Sequence, residues 1–169
     1  MTVRSYAKIN LGLYILGKRG DGFHDLATVF HRIDLFDTLR FEATGGGIAL
    51  TCNRDDIPRD SANLCVRAAE MLLKNHRHLG VHIDLHKRIP AGAGLGGGSS
   101  NAAAVLRVLP ELLQLDLPAD ERLEIAAMLG SDVPFFLQDE SAEARGRGEI
   151  LTPFSWARAR ASSKPIPDS

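Results

Sequence analysis

Between Pro90 and Ala104 the chain reads Pro-Ala-Gly-Ala-Gly-Leu-Gly-Gly-Gly-Ser-Ser-Asn-Ala-Ala-Ala, with five glycines in the seven positions from Gly92 to Gly98. A packed core does not need that many missing side chains. Glycine admits unusual backbone angles and lets another molecule come close to the main chain. The two serines before an apolar run can cap a helix, predicted over Ser99–Leu113. Bare amides that lead into a helix N-terminus make a site for an anion, phosphate above all. The loop therefore dictates a tight turn, a helix behind it and a ligand in front.

Two familiar glycine patterns fit this loop poorly. Gly92, Gly94 and Gly97 match G-x-G-x-x-G, but a dinucleotide fold places that motif in its first strand-turn-helix unit. Here a proline precedes the loop, four predicted strands come earlier, and Asp116 follows a helix and not a strand. Gly92 through Gly97, with Ser99, gives the frame of a Walker A loop, but position 98 is glycine where that motif has lysine. Any cation that supports phosphate must come from elsewhere in the chain.

The rest of the chain supplies the scaffold. Val3, Ala7, Ile9, Leu11, Leu13 and Ile15 share one parity, and Arg4, Tyr6, Lys8, Asn10 and Tyr14 the other, which predicts a strand with one apolar face. Gly17–Gly22 reads as a turn. Leu26–Ile33, Thr38–Ala43 and Ile48–Cys52 read as further short strands, the last two separated by Gly45-Gly46-Gly47. Ala62–Lys74 has helical spacing, with Asp60 or Ser61 as its cap. Val81, Ile83 and Leu85 mark another strand, ended by Pro90. Pro118–Leu129 predicts a helix with acidic residues in its first turn, where the helix dipole favours them, and Gly130 ends it. Phe135-Phe136-Leu137 is a short strand or core turn, and Glu149-Ile150-Leu151 a last strand. The fold class is α+β, a mixed sheet with packed helices.

Charge and cysteine content exclude several functions. A net charge of −1 provides no basic field for nucleic acid and no polybasic patch for membranes. Cys52 and Cys65 are the only cysteines and form no CxxC pair, so they read as ordinary thiols in a reducing compartment. No long apolar run and no signal-peptide pattern appear, and the expectation is a soluble cytoplasmic protein.

Two charged residues far from the loop fit its chemistry. Lys8 lies on the polar face of the first strand with Asn10 two positions on, and Asp132 sits in Gly-Ser-Asp-Val-Pro-Phe-Phe, just past a helix. Their plain readings are a solvated strand lysine and an Asx-type turn. Together they suit phosphoryl transfer to an alcohol, which needs a group to take or orient the hydroxyl and positive charge near the transferring phosphoryl.

Four segments, Ala7–Leu11, Gly20–Leu26, Pro90–Ala103 and Leu129–Phe136, give the chain a resemblance to a known family. It resembles the 4-diphosphocytidyl-2-C-methyl-D-erythritol kinases, of the galactokinase, homoserine kinase, mevalonate kinase and phosphomevalonate kinase superfamily. The resemblance runs from about residue 3 to 154. It implies a domain of the ribosomal protein S5 domain 2-like fold and transfer of the γ-phosphate of ATP to the substrate's 2-hydroxyl, in non-mevalonate isoprenoid biosynthesis. It also implies Lys8 and Asp132 as the catalytic pair. Pro90, Ala91, Gly92, Ala93, Gly94, Leu95, Gly96, Gly97, Gly98, Ser99 and Ser100 would form the ATP loop, with Mg²⁺ near Ser99. Asn63 falls near the adenine pocket. Asn10 would orient Lys8 or the substrate, and Phe23 and His24 would hold the cytosine, Phe23 by stacking. The family often has tyrosine where Phe23 stands, so the ring is kept and a hydroxyl lost.

The resemblance also implies a longer protein. Family members carry a second α+β domain with a later glycine-rich segment like Gly-Thr-Gly-Ala, which this chain lacks. Residues 1–154 are thus expected to be the N-terminal ATP-binding domain, and residues 155–169, rich in Ala and Arg, a disordered or frameshifted tail. An uncovered domain face favours self-association, and a missing wall weakens substrate orientation. Two rivals to the cytidyl-substrate kinase remain at this point: another small-molecule alcohol kinase of the superfamily, and a nucleotide-binding remnant without turnover.

Overall fold

The alternation that begins at Val3 produces β1 (Thr2–Lys18), which pairs antiparallel with β2 (His24–Thr44) along nearly its whole length. The computed structural model describes residues 1–18, 24–138, 141–146 and 150–153. The rest of the predicted Gly17–Gly22 turn, beyond the end of β1, lies outside the described residues, as do Glu149 and the segment from Phe154 on.

The two strands expected at Leu26–Ile33 and Thr38–Ala43 are one. Tyr6 pairs with Phe36 and the next residue, Ala7, with Ile33, so Asp34 and Leu35 form a bulge and do not break the strand. β1 occupies one edge of β2. The other edge is shared by β4 (Gly80–His86), which pairs with Thr38–Thr44, and β5 (Ala142–Gly146), which pairs with Leu26–Phe30. β3 (Gly47–Cys52) lies parallel to β4, and β6 (Ile150–Pro153) antiparallel to β5. The sheet is therefore mixed, as expected. β5 has no clear signal in Ala-Glu-Ala-Arg-Gly and exists by pairing on both sides.

Three helices cover one face of the sheet. α1 (Leu64–Leu73), α2 (Gly97–Leu113) and α3 (Ala119–Leu129) pack on one another, and α2 also rests on β1 and β2. From β2, β3 and β4 come Leu39, Phe41, Leu50, Val81, Ile83 and Leu85, all buried against the helices. Arg40, Glu42, Thr51, Asp84 and His86 point the other way and are exposed, the pattern of a sheet with one wet face. In α2 every residue from Asn101 to Leu106 is buried. A helix enclosed on all sides must be apolar all round, and the Ala102-Ala103-Ala104 run lets its neighbours approach closely.

The helix starts differ from those expected. Asn63, not Asp60 or Ser61, caps α1, its side-chain oxygen accepting the Cys65 amide at 2.9 Å. α2 starts at Gly97, with Gly96 at φ 68° as its cap residue and no side chain bonded to its first amides. Ser99 and Ser100 are inside the first turn and cap nothing. Among the described residues no helix is long and apolar enough to cross a membrane.

The two cysteines differ in reactivity. Cys65 is 1% exposed, and burial pushes its thiol up to about 12, so it stays protonated at neutral and mildly alkaline pH. Cys52 is half-buried. At pH 8 a thiol reagent such as dithionitrobenzoate is expected to modify one cysteine of the folded chain, Cys52, and both after unfolding. Equal rates at both thiols would contradict the packing of α1.

Candidate active site

The glycine loop is built by backbone geometry. Gly92, Gly94 and Gly96 have φ values of 72°, 73° and 68°, left-handed angles that side chains disfavour. Gly97 is needed for space: a Cβ there would lie 2.8 Å from Ile89 Cγ2 and 3.0 Å from Lys87 Nζ. The loop is tied to the first strand, because the Lys8 amide donates to the Leu95 carbonyl at 3.0 Å. Pro90 is exposed, and β4 has already ended at His86. Asp37, not the proline, ends that strand, by taking the amides of Arg88 and Ile89.

That tie buries Lys8, which the alternation placed on a polar face. Its ammonium lies 2.7 Å from Asn10 Oδ1, 3.5 Å from Asp132 Oδ2 and 4.3 Å from the centre of the Phe30 ring. The ion pair is longer than a full-strength hydrogen bond, and the shorter contact to Asn10 sets the direction of the ammonium. Asp132 is fixed by its neighbours. Gly130 ends α3, Val133 is fully buried and donates to the Gly130 carbonyl at 3.1 Å, and Phe135 and Phe136 anchor the following 3₁₀ turn, Pro134–Leu137. Between these buried anchors the Asp132 side chain stays 29% exposed.

Gly96 is where the loop meets Lys8 and Phe136. A Cβ on Gly96 would lie 2.8 Å from Phe136 Cζ and 3.1 Å from Lys8 Cγ. Lys8 and Phe136, far apart in sequence, thus meet at one glycine. Gly96 also lines a cleft of about 350 Å³. Ile57, Pro58, Ala62, Leu64 and Leu85 form its apolar part, and Asn63, Lys87, Asn101 and the loop from Pro90 to Ser99 form the rest. That volume is in the range of small-molecule sites.

The cleft sorts the other predicted residues. Ser99 lines it. Ser100 does not: it is 2% exposed and its hydroxyl accepts a hydrogen bond from Ser5 at 2.7 Å, so of the two serines only Ser99 opens towards a ligand. Asn63 is in the wall, but its amide is taken by the Cys65 amide and the Pro58 carbonyl. It shapes the cleft, and one N–H and one lone pair of its amide remain for a ligand. Asn10 joins the Lys8 pair. His24 opens β2 opposite Lys18, and Phe23 lies outside the described residues.

One cluster had no sequence signal. Beneath the loop, Asp37 is fully buried and accepts from Lys87 Nζ at 2.6 Å and from Asn101 Nδ2 at 3.0 Å. Asn101 also donates to Ser5, 96 positions away, at 3.0 Å. Only the pairing of Ser5 with Asp37 across β1 and β2 brings these groups together.

Known proteins match this chain along most of its length. The GHMP kinases N terminal domain family matches residues 63–140, which include the loop and Asp132. The 4-diphosphocytidyl-2-C-methyl-D-erythritol kinase of Chlorobium phaeobacteroides (strain BS1) is 51% identical over 154 residues, which cover 89% of this chain and 53% of that protein. The kinase of the same name from Salinibacter ruber is 48% identical over 151 residues, with 88% and 53% covered. A crystal structure of 4-(cytidine 5'-diphospho)-2C-methyl-D-erythritol kinase aligns with a TM-score of 0.81 at 42% identity, covering 92% of this chain and 55% of that one. The Methanococcus jannaschii mevalonate kinase, at 17% identity and a TM-score of 0.67, shares the fold. The chain spans about half the length of the curated relatives it matches. Loop, helix and aspartate segment coincide with the matched N-terminal domain, and the chain belongs to the 4-diphosphocytidyl-2-C-methyl-D-erythritol kinase family of the GHMP kinases.

Proposed function

We propose that this chain holds ATP on the glycine loop and takes part in phosphorylating the 2-hydroxyl of 4-diphosphocytidyl-2-C-methyl-D-erythritol, in the cytoplasmic synthesis of isoprenoids. Residues 1–154 are its ATP-binding domain. The observation that carries this reading is that the Lys8–Asp132 pair, at 3.5 Å, lies beside the glycine loop: Lys8 packs against Gly96, which also lines the cleft.

The chemistry follows from the groups present. The apolar part of the cleft suits a flat base, and the uncapped start of α2 with the loop amides suits the phosphates. The Asp132 carboxylate takes or orients the proton of the attacking hydroxyl, and the Lys8 ammonium balances charge that builds on the transferring phosphoryl. Asn10 aims that ammonium. Mg²⁺, when bound, neutralises phosphate charge. The described cleft lining offers it the Ser99 hydroxyl and no carboxylate, so its ligands would be chiefly phosphate oxygens and water, in keeping with the habits of this ion. Phe23 and His24 hold the cytosine.

A second reading, nucleotide binding without turnover, is favoured by one fact: the cleft is formed within the described residues, and neither Lys8 nor Asp132 is among those that line it. One assay separates the readings. The chain is given Mg-ATP with diphosphocytidyl-methylerythritol, mevalonate or homoserine, and ADP release and ATP binding are followed. ADP with the cytidyl substrate alone is the expected result. Binding without ADP selects the second reading, product from mevalonate or homoserine selects a different kinase of the superfamily, and no binding contradicts all three.

A further inference from the structure

The glycine loop must hold a definite shape, yet its own amides do little to fix it. Both of its ends converge on one buried carboxylate. On the leading end, Asp37 Oδ1 accepts the amides of Arg88 at 2.7 Å and Ile89 at 2.8 Å. On the trailing end, Asp37 Oδ2 accepts from Asn101 Nδ2, on the second turn of α2, at 3.0 Å. Lys87 Nζ, 2.6 Å from the same oxygen and 3.2 Å from Asn101 Oδ1, supplies the compensating charge. Asn101 and Ser100 are further tied to Ser5 on β1, at 3.0 and 2.7 Å. A carboxylate with four donors and no exposure is costly to bury unless all its partners are in place. The network is therefore satisfied in one arrangement of the loop ends and broken by others.

We propose that Asp37 is a positioning residue for the phosphate-binding loop, acting as a clamp that fixes the distance between the end of β4 and the start of α2. The clamp holds Gly92–Ser99 in the shape that presents amides to a phosphate chain. It touches neither nucleotide nor substrate. It rests on the reading of the cleft as a nucleotide site.

Asp37→Asn separates the two arms. The Asn oxygen can still accept from Arg88 and Ile89, whereas its NH₂ would face the Asn101 and Lys87 donors. The folded variant, held well below its melting midpoint, is expected to bind ATP about tenfold more weakly, the loss of a charge-assisted bond to the helix. Its affinity for adenosine, which makes no phosphate contact, stays at the parent value. In the unliganded chain, hydrogen exchange speeds up for amides at the start of α2 and stays slow for Arg88 and Ile89. Equal weakening of ATP and adenosine, or unchanged exchange at the start of α2, would overturn the clamp. Asn101→Ala, which keeps the Asp37–Lys87 pair, tests the same arm should Asp37→Asn not fold. Because Asn101 also lines the cleft, its readout is hydrogen exchange, expected to speed up at the start of α2 and to stay slow at Arg88 and Ile89, and unchanged exchange at the start of α2 would overturn the clamp. Failure of the parent chain to bind ATP would contradict the nucleotide reading, and the exchange measurement would still decide the clamp.

Discussion

Asp132→Asn is expected to lower kcat for phosphoryl transfer by about 10²- to 10⁴-fold, the usual loss when a positioned acid–base group is removed. The substitution keeps the shape of the side chain and removes its charge and basicity. Asp132 is not among the residues that line the cleft, so the affinity for ATP should stay within about twofold of the parent, since no ground-state contact to nucleotide is lost. Folding should also survive. Lys8 keeps Asn10 at 2.7 Å and the face of Phe30, and Asp132 is partly exposed, so the charge left behind is not stranded. Turnover at saturating substrate and a separate titration with ATP check this. An unchanged kcat removes Asp132 from the reaction.

Gly96→Ala is expected to have the largest effect on stability of any alanine in the loop. At φ 68° an alanine costs about 1–2 kcal/mol in backbone strain. Its Cβ would also press on Phe136 at 2.8 Å and Lys8 Cγ at 3.1 Å, and overpacking of this kind typically adds about 1–3 kcal/mol. The sum is about 2–5 kcal/mol, a large share of an ordinary domain's stability. Gly92→Ala is the control. It has a similar φ, 72°, with nothing within 4 Å of its Cβ, and should cost the strain alone. Denaturant unfolding of both variants gives the comparison. Equal losses would contradict the packing of the loop against Lys8 and Phe136. Because the relief of that clash moves Lys8, Gly96→Ala should also depress turnover more than Gly92→Ala.

Much of this was written locally in the chain. The period of two in β1, the glycines before an apolar helix, and the Gly130–Pro134 frame around Asp132 are all signals of a few residues. Three features were not local. The bulge at Asp34-Leu35 looks in the sequence like a break between two strands, because only the partner strand shows that pairing resumes. β5 has weak strand propensity and is held by β2 and β6. The burial of Lys8 comes from a loop 87 positions further on in sequence, whose Leu95 carbonyl meets its amide. The same holds for Asp37, whose partners Lys87 and Asn101 lie 50 and 64 positions away. An aspartate in a strand reads as a solvated side chain until the fold shows what lies over it.

Lys8 and Asp132, 3.5 Å apart beside the glycine loop, are proposed to act as one unit in phosphoryl transfer. Groups that act as a unit are strongly non-additive: once one is gone, removing the other costs little more. The direct measurement is a double-mutant cycle on the single-turnover rate of phosphoryl transfer from ATP, with Lys8→Met, Asp132→Asn and both together. The double variant is expected to be about as slow as the slower single variant. A rate reduced by the product of the two single effects would contradict it, since that is how independent residues behave.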